Sequence, residues 1–309
     1  MSEIESPPLP PNGSEPSPSP QVHSESSAPA AGPRAALEID WLYLAALGVG
    51  LGITFGPVLA WLFDRWMTDK FYSHGPLVAG GAMYFAWQRW GELANSDSRG
   101  DRRAVWILAG AALLEMGVVA TGVMTAGAIA LLATLVGLVV LYRGFSGLRL
   151  VSFPLFLFFF SIPTMSAGSE ASGLILTPMM EIAASTTAKV TNALGLVAQV
   201  SGTIVRYKNY TMQIIAPCSG MSSLVSLMPL GALLGHFNRS RSWQMLVLVA
   251  AAVPIAFVAN VTRLTLTALL GVNFGAKVAS GFLHDLSGVF TFLLGAMLMV
   301  AVSGARWLK

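Results

Sequence analysis

Three short stretches carry the side chains that could do chemistry. The first, Ala216-Pro217-Cys218-Ser219-Gly220-Met221, holds the one cysteine among 309 residues. A thiol acts as a nucleophile in its thiolate form, and a helix N-terminus favours that anion through unpaired amides and a partial positive charge. Backbone amides near Ser219 and Gly220 are candidates to hold an oxyanion, since glycine permits close approach. A buried cysteine alone is more often an inert small hydrophobe. The second stretch, Ala259-Asn260-Val261-Thr262-Arg263, closes an apolar run with a cation. That placement is costly unless the charge is paired or functional, although an arginine can also snorkel to the headgroups. Asn260 lies three residues before Arg263 on the same helix face, where it can orient the guanidinium or contact substrate. The third, His284-Asp285-Leu286-Ser287-Gly288, supplies an imidazole that titrates near neutrality, with Asp285 or another acceptor to fix its tautomer. Together these are the parts of an acyl-transfer site: thiol nucleophile, cationic stabiliser of thiolate or oxyanion, and general acid/base. One cysteine excludes an intramolecular disulfide and a multi-cysteine zinc site. No metal-ligand or phosphate-loop pattern appears, so neither metal nor cofactor is expected.

The elements that must position these groups are membrane helices. Hydrophobic side chains make up 54% of the chain and charged ones only 11%, against about 25% charged in soluble proteins. The lipid bilayer is therefore the first partner. A net charge of +3 is too small and scattered for nucleic acid. Residues 1–36, rich in Pro and Ser, read as a disordered cytoplasmic tail without the pattern of a secretory signal. Residues 37–309 form the membrane domain. Uncharged runs predict about eight transmembrane helices, near 41–63, 75–90, 104–122, 125–142, 150–167, 218–237, 243–262 and 285–305. The fold class is an all-α polytopic membrane protein. Gly48, Gly52 and Gly56 predict close helix packing on the first span. Short connections at 143–149 and 239–241 carry only positive charge, which places them and both termini in the cytoplasm. All three chemical stretches then share the outer face. Residues 168–217 read as a small extracytoplasmic cap between spans five and six: an amphipathic helix opened by Pro178 and running to about Gln199, then a hairpin turning near Lys208-Asn209.

In this order across the spans, the motifs resemble those of the exosortase/archaeosortase family of membrane-embedded transpeptidases. Cys218-Ser219-Gly220, Asn260-Val261-Thr262-Arg263 and His284 with Gly288 match its three signatures, and Tyr72-Ser73-His74-Gly75 resembles its first outer loop. Phe153-Pro154 and Ile162-Pro163 match a Pro-containing fifth span. The resemblance covers about residues 41–305 and departs at Pro217, more often Ala, and at Ser222, more often Arg; both bear on substrate preference. It implies a bacterial inner-membrane enzyme with catalytic Cys218, Arg263 and His284. Its substrates would be secreted proteins ending in a sorting signal (PEP-CTERM-like): a Pro-containing motif, a hydrophobic span and a basic cluster. They would be cut and passed to a surface acceptor such as a lipid or polysaccharide. Tyr72 and His74 are candidates to position substrate or support His284, beside a purely structural reading of His74. Glu115 reads as a structural intramembrane carboxylate, protonated or hydrogen-bonded. Two other readings stay open: a thiol hydrolase without transfer, and a secondary transporter. Against the latter, no inverted repeat is visible and the polar groups gather at the outer face rather than the midplane.

Overall fold

In a bilayer every backbone amide and carbonyl must find its partner within the chain, so apolar runs become helices. The computed structural model describes residues 41–96, 99–164, 170–238, 241–276 and 282–304; the expected tail, 1–36, lies outside them. The helices are α1 (Trp41–Thr68), α2 (Gly75–Gln88), α3 (Trp90–Ala94), α4 (Ala104–Thr121), α5 (Met124–Phe159), α6 (Glu170–Ala193), α7 (Met221–Phe237), α8 (Ser242–Phe274) and α9 (Phe282–Ser303). Among the described residues, five of these (α1, α4, α5, α8 and α9) are long and apolar enough to cross a membrane, and α7 is apolar but shorter. The chain is a helical, multi-pass membrane protein.

The expected spans at 125–142 and 150–167 become two limbs of α5, and the expected connection at 143–149 is itself helical. A straight helix from Thr125 to Phe159 would separate its ends by about 50 Å. Yet the Thr125 hydroxyl donates to the Pro163 carbonyl at 3.0 Å, so the chain must double back. It does so at Gly144, whose φ of 65° and ψ of −171° break the helical geometry. Only glycine fits there, because φ is positive and a Cβ would lie 2.5 Å from the Arg99 carbonyl oxygen. The first limb packs along α4, where the Asp101 amide donates to the Val140 carbonyl. The second runs beside α2 and α7, with Phe153 stacked on His236 at 3.8 Å. It ends at Phe159, earlier than the sequence suggests.

Other expectations need correction. The seventh span does not stop at 262: α8 continues to Phe274. Its 33 residues reach about 50 Å, well beyond a hydrocarbon core of about 30 Å. Arg263 is thus inside a helix rather than at its end. Nothing among the described residues lies within 4 Å of a Cβ built on Gly48, Gly52 or Gly56. These small residues therefore serve no close helix contact there. The segment before Cys218 also differs. Its helix, α6, opens at Glu170 with Pro178 inside it and stops at Ala193. The hairpin is a three-stranded antiparallel meander: β1 (Gln199–Ser201), β2 (Ile204–Arg206) and β3 (Thr211–Gln213). The turn between β2 and β3 does contain Lys208-Asn209.

This meander sits on the far turns of α8. Val205, Met212 and Ile214 are buried with Ala183, Ala184 and Ala188 of α6 and with Leu264 and Ala268 of α8. The Asn209 side-chain amide donates to the Val272 carbonyl at 2.7 Å. Cys218 belongs to this same buried cluster. A second cluster, including Leu227, Ala252, Ile255 and Met299, joins α7, α8 and α9. The first cluster seats the meander and Cys218 on α8, and the second fixes α7 against α8.

Candidate active site

The chain leaves β3 in extended conformation at Ile215 and tightens into a 3-10 turn over Ala216–Cys218, with Pro217 at a position that needs no amide donor. The Cys218 and Ser219 amides donate to the carbonyls of Ile215 and Ala216 at 2.7 and 3.1 Å. The Ser219 hydroxyl donates to the Ala216 carbonyl at 2.8 Å and accepts the Met221 amide at 3.2 Å. Gly220, at φ 91°, then swings the backbone into α7. The helix therefore begins at Met221, not at Cys218 as the sequence suggests, and the thiol sits on the turn leading into it. Ser219 is a brace for that turn, and its amide is already engaged.

Two side chains of α8 meet this turn. The Asn260 side-chain amide donates to the Cys218 carbonyl at 2.9 Å. One helical turn further along, Arg263 Nη2 lies 3.0 Å from Cys218 Sγ. Cys218 is 4% exposed, Asn260 0% and Arg263 7%. The fit is close: a Cβ on Gly220 would stand 3.2 Å from Asn260 Cβ. Asn260 Oδ1 and Arg263 Nε are buried without hydrogen-bond partners among the described residues. Burying a cation without an anionic partner costs several kcal/mol, and an unsatisfied donor adds about 1–3 kcal/mol. Arg65 Nε is likewise buried without a partner among the described residues, so what sets Arg263 apart is its 3.0 Å approach to the thiol.

Beside Ser219 and Gly220, Met179, Ile182, Leu224 and Phe257 line an apolar groove of about 360 Å³ between α6, α7 and α8. Tyr210 of the β2–β3 turn completes the surroundings, its ring resting where a Cβ on Gly271 of α8 would be only 2.5 Å away. Burial raises the Tyr210 phenol pKa, with further contributions from the charges of Tyr207 and Cys218. Sequence reasoning missed Tyr210 and Gly271. The available signal was Gly271 two turns beyond Arg263, which has meaning only once α8 is known to extend that far.

Tyr72 and His74 form a neighbouring layer. Tyr72 is buried in one cluster with Phe71, Leu176 and Met221, and its hydroxyl accepts the Thr164 amide at 3.1 Å. Its ring faces that of His74 at 6.1 Å. His74 Nδ1 lies 3.2 Å from the Ser226 hydroxyl of α7, while Nε2 is buried without a partner among the described residues. Burial lowers the His74 pKa, and the nearby Phe160 backbone works in the opposite direction. His284 and Asp285 fall in the first turn of α9, and their side chains lie outside the described residues. Glu115 faces an apolar cavity between α1, α4 and α5, with Oε2 lacking a hydrogen-bond partner among the described residues. No group of three metal-ligating side chains occurs among the described residues.

The structure thus brings Cys218, Ser219, Gly220, Asn260 and Arg263 into one buried constellation. A family model described as transmembrane exosortase matches residues 66–301, a span containing all of these and every other motif residue. Neither a curated protein nor a solved structure matches the chain. With a matching family model over most of its length and a helical, multi-pass membrane fold, this chain belongs to the transmembrane exosortase family.

Proposed function

We propose that this protein is a cysteine transpeptidase of the bacterial inner membrane that removes C-terminal sorting signals of the PEP-CTERM kind and passes the truncated protein to a surface acceptor. The observation that carries the reading is the 3.0 Å approach of Arg263 Nη2 to Cys218 Sγ in a buried setting. A guanidinium there interacts more strongly with a thiolate than with a neutral thiol. The Cys218 proton passes to His284, and the sulfur attacks the carbonyl carbon of the scissile peptide. Arg263 stabilises the resulting oxyanion, for which the Ser219 amide is not available. The C–N bond breaks, His284 returns the proton to the leaving amine, and a thioester to Cys218 remains. An acceptor hydroxyl or amine, losing its proton to His284, then displaces the thiol. Asn260 holds the turn in register through the Cys218 carbonyl. The apolar groove beside Gly220 suits the hydrophobic part of a substrate tail.

Eight crossings fit this reading: α1, α2, α4, both limbs of α5, α7, α8 and α9, with both termini inside and Cys218 at the outer face. Hydrolysis without transfer uses the same steps, with water as the final nucleophile. The test is to express Cys218→Ala beside wild type with a tail-bearing secreted protein. Unprocessed precursor should accumulate in the membrane, and normal processing would sink the proposal. Mass spectrometry of the processed C-terminus separates the outcomes, since transfer adds a group and hydrolysis leaves a free carboxylate.

A further inference from the structure

At the opposite end of the bundle from Cys218, a second polar pocket of about 210 Å³ opens between α2, α7 and the second limb of α5. Its polar wall is Gln88, Arg89, Arg149 and His236, and its apolar wall includes Phe85 and Phe153. The His236 ring is held by stacking on Phe153, with centroids 3.8 Å apart and planes within 7°. Glu92 takes Arg89 Nη1 at 2.8 and 2.9 Å, so one of the two cations is partly compensated. No carboxylate among the described residues pairs with Arg149. None of these groups takes part in the chemistry at Cys218.

Two arginines, an amide and an imidazole converging on one cleft make a cationic, donor-rich site suited to an anion that accepts several hydrogen bonds. Its depth is marked by aromatic side chains at the same end. Trp87 is 73% exposed beside it, and Trp90, Trp106 and Trp243 are also exposed there. Tryptophans of this kind settle at the headgroup level of a bilayer. The apolar wall of Phe85 and Phe153 beside the basic one suits a ligand with one charged and one greasy end. We infer that this pocket binds a phosphate-bearing anion, with the phosphodiester headgroup of an anionic phospholipid as the occupant. Basic clefts between transmembrane helices bind such headgroups in this way.

The experiment reconstitutes the full chain in phosphatidylcholine nanodiscs with and without phosphatidylglycerol. Native mass spectrometry then counts the phosphatidylglycerol retained after extraction. Wild type should retain it, Arg149→Gln should lose about fivefold in retention, and Arg149→Lys should keep most of it. Arg206→Gln, on β2 far from this end, should match wild type. Equal thermal unfolding of wild type and Arg149→Gln in pure phosphatidylcholine shows that the variant is folded. Should it fail that check, His236→Gln reads the same pocket without altering the arginines. Inorganic phosphate is the second probe. If it displaces phosphatidylglycerol or protects equally well in phosphatidylcholine alone, the anion site stands and its source is free phosphate. Retention unchanged in Arg149→Gln, Arg89→Gln and His236→Gln overturns the proposal.

Discussion

Arg143 and Arg263 anchor opposite ends of the bundle in opposite manners. Arg143, at the reversal of α5, donates Nη2 to the Ala94 carbonyl at 2.8 Å and Nη1 to the Ser96 carbonyl at 3.2 Å. It brackets the turn after α3, supplying donors to backbone acceptors that need them. Arg263 instead reaches a thiol, and its Nε is buried with no acceptor among the described residues. One arginine satisfies the fold; the other leaves the fold with a deficit. Arg143 is half-buried with its Nη donors taken by backbone carbonyls, whereas Arg263 is 7% exposed, touches sulfur and keeps one donor unmet, so the two differ in burial and in partners alike.

The contrast can be broken experimentally. Arg263→Gln should lower the processing rate by about 10²–10³-fold, the usual loss when one oxyanion donor is removed, while the protein still inserts and purifies. A precursor-processing time course normalised to protein level checks this. Arg143→Gln should do the reverse: processing per folded molecule stays near wild type, and thermal stability falls by about 1–3 kcal/mol as the Ala94 and Ser96 carbonyls lose their donors. Loss of processing without loss of stability in that variant would erase the distinction. Gly220→Ala sharpens it at the Cys218 end. A left-handed backbone costs a non-glycine residue about 1–2 kcal/mol, and the added methyl presses on Asn260. About a tenfold drop in processing is expected, with the precursor still bound.

The smallest effect belongs to His74. Burial holds its pKa below the ordinary value, so the folded state prefers the neutral ring. Its contribution to stability is complete above pH 6.5 and declines as pH falls from there through the lowered folded-state value, by at most about 1.4 kcal/mol per pH unit. His74→Gln should flatten that acid limb in detergent melts run from neutral pH to about pH 5.5. An unchanged acid limb would show that the ring is not buried neutral against Ser226.

Much of this arrangement is legible in the residue order. Runs free of charge located most of the apolar helices, and the topology read from Lys and Arg put Cys218, Asn260 and Arg263 toward one face without bringing them into contact. What escaped has identifiable physical causes. Arg263 interrupts hydropathy but not helix geometry, so α8 continues through the apolar stretch Leu264–Phe274. For the same reason Arg143 and Arg149 read as a loop although both are helical. Strand β1 is three residues long and exposed throughout, too short for alternation to register. The spacing of Gly48, Gly52 and Gly56 says that one helix face is smooth; whether anything packs on it is a tertiary fact. The same holds for the Tyr210 ring seated on Gly271.

The turn at Gly144 has a consequence for biogenesis. Helical limbs joined directly through one glycine have no loop between them in which the first could wait, fully inserted, while the second is made. In the proposed topology, where each limb is a crossing, the two would enter the lipid as a pair, Met124 and Phe159 moving forward together while Arg143 and Arg149 stay at the side of entry. On that topology, a single position without a side chain would set the order in which the membrane receives this part of the chain.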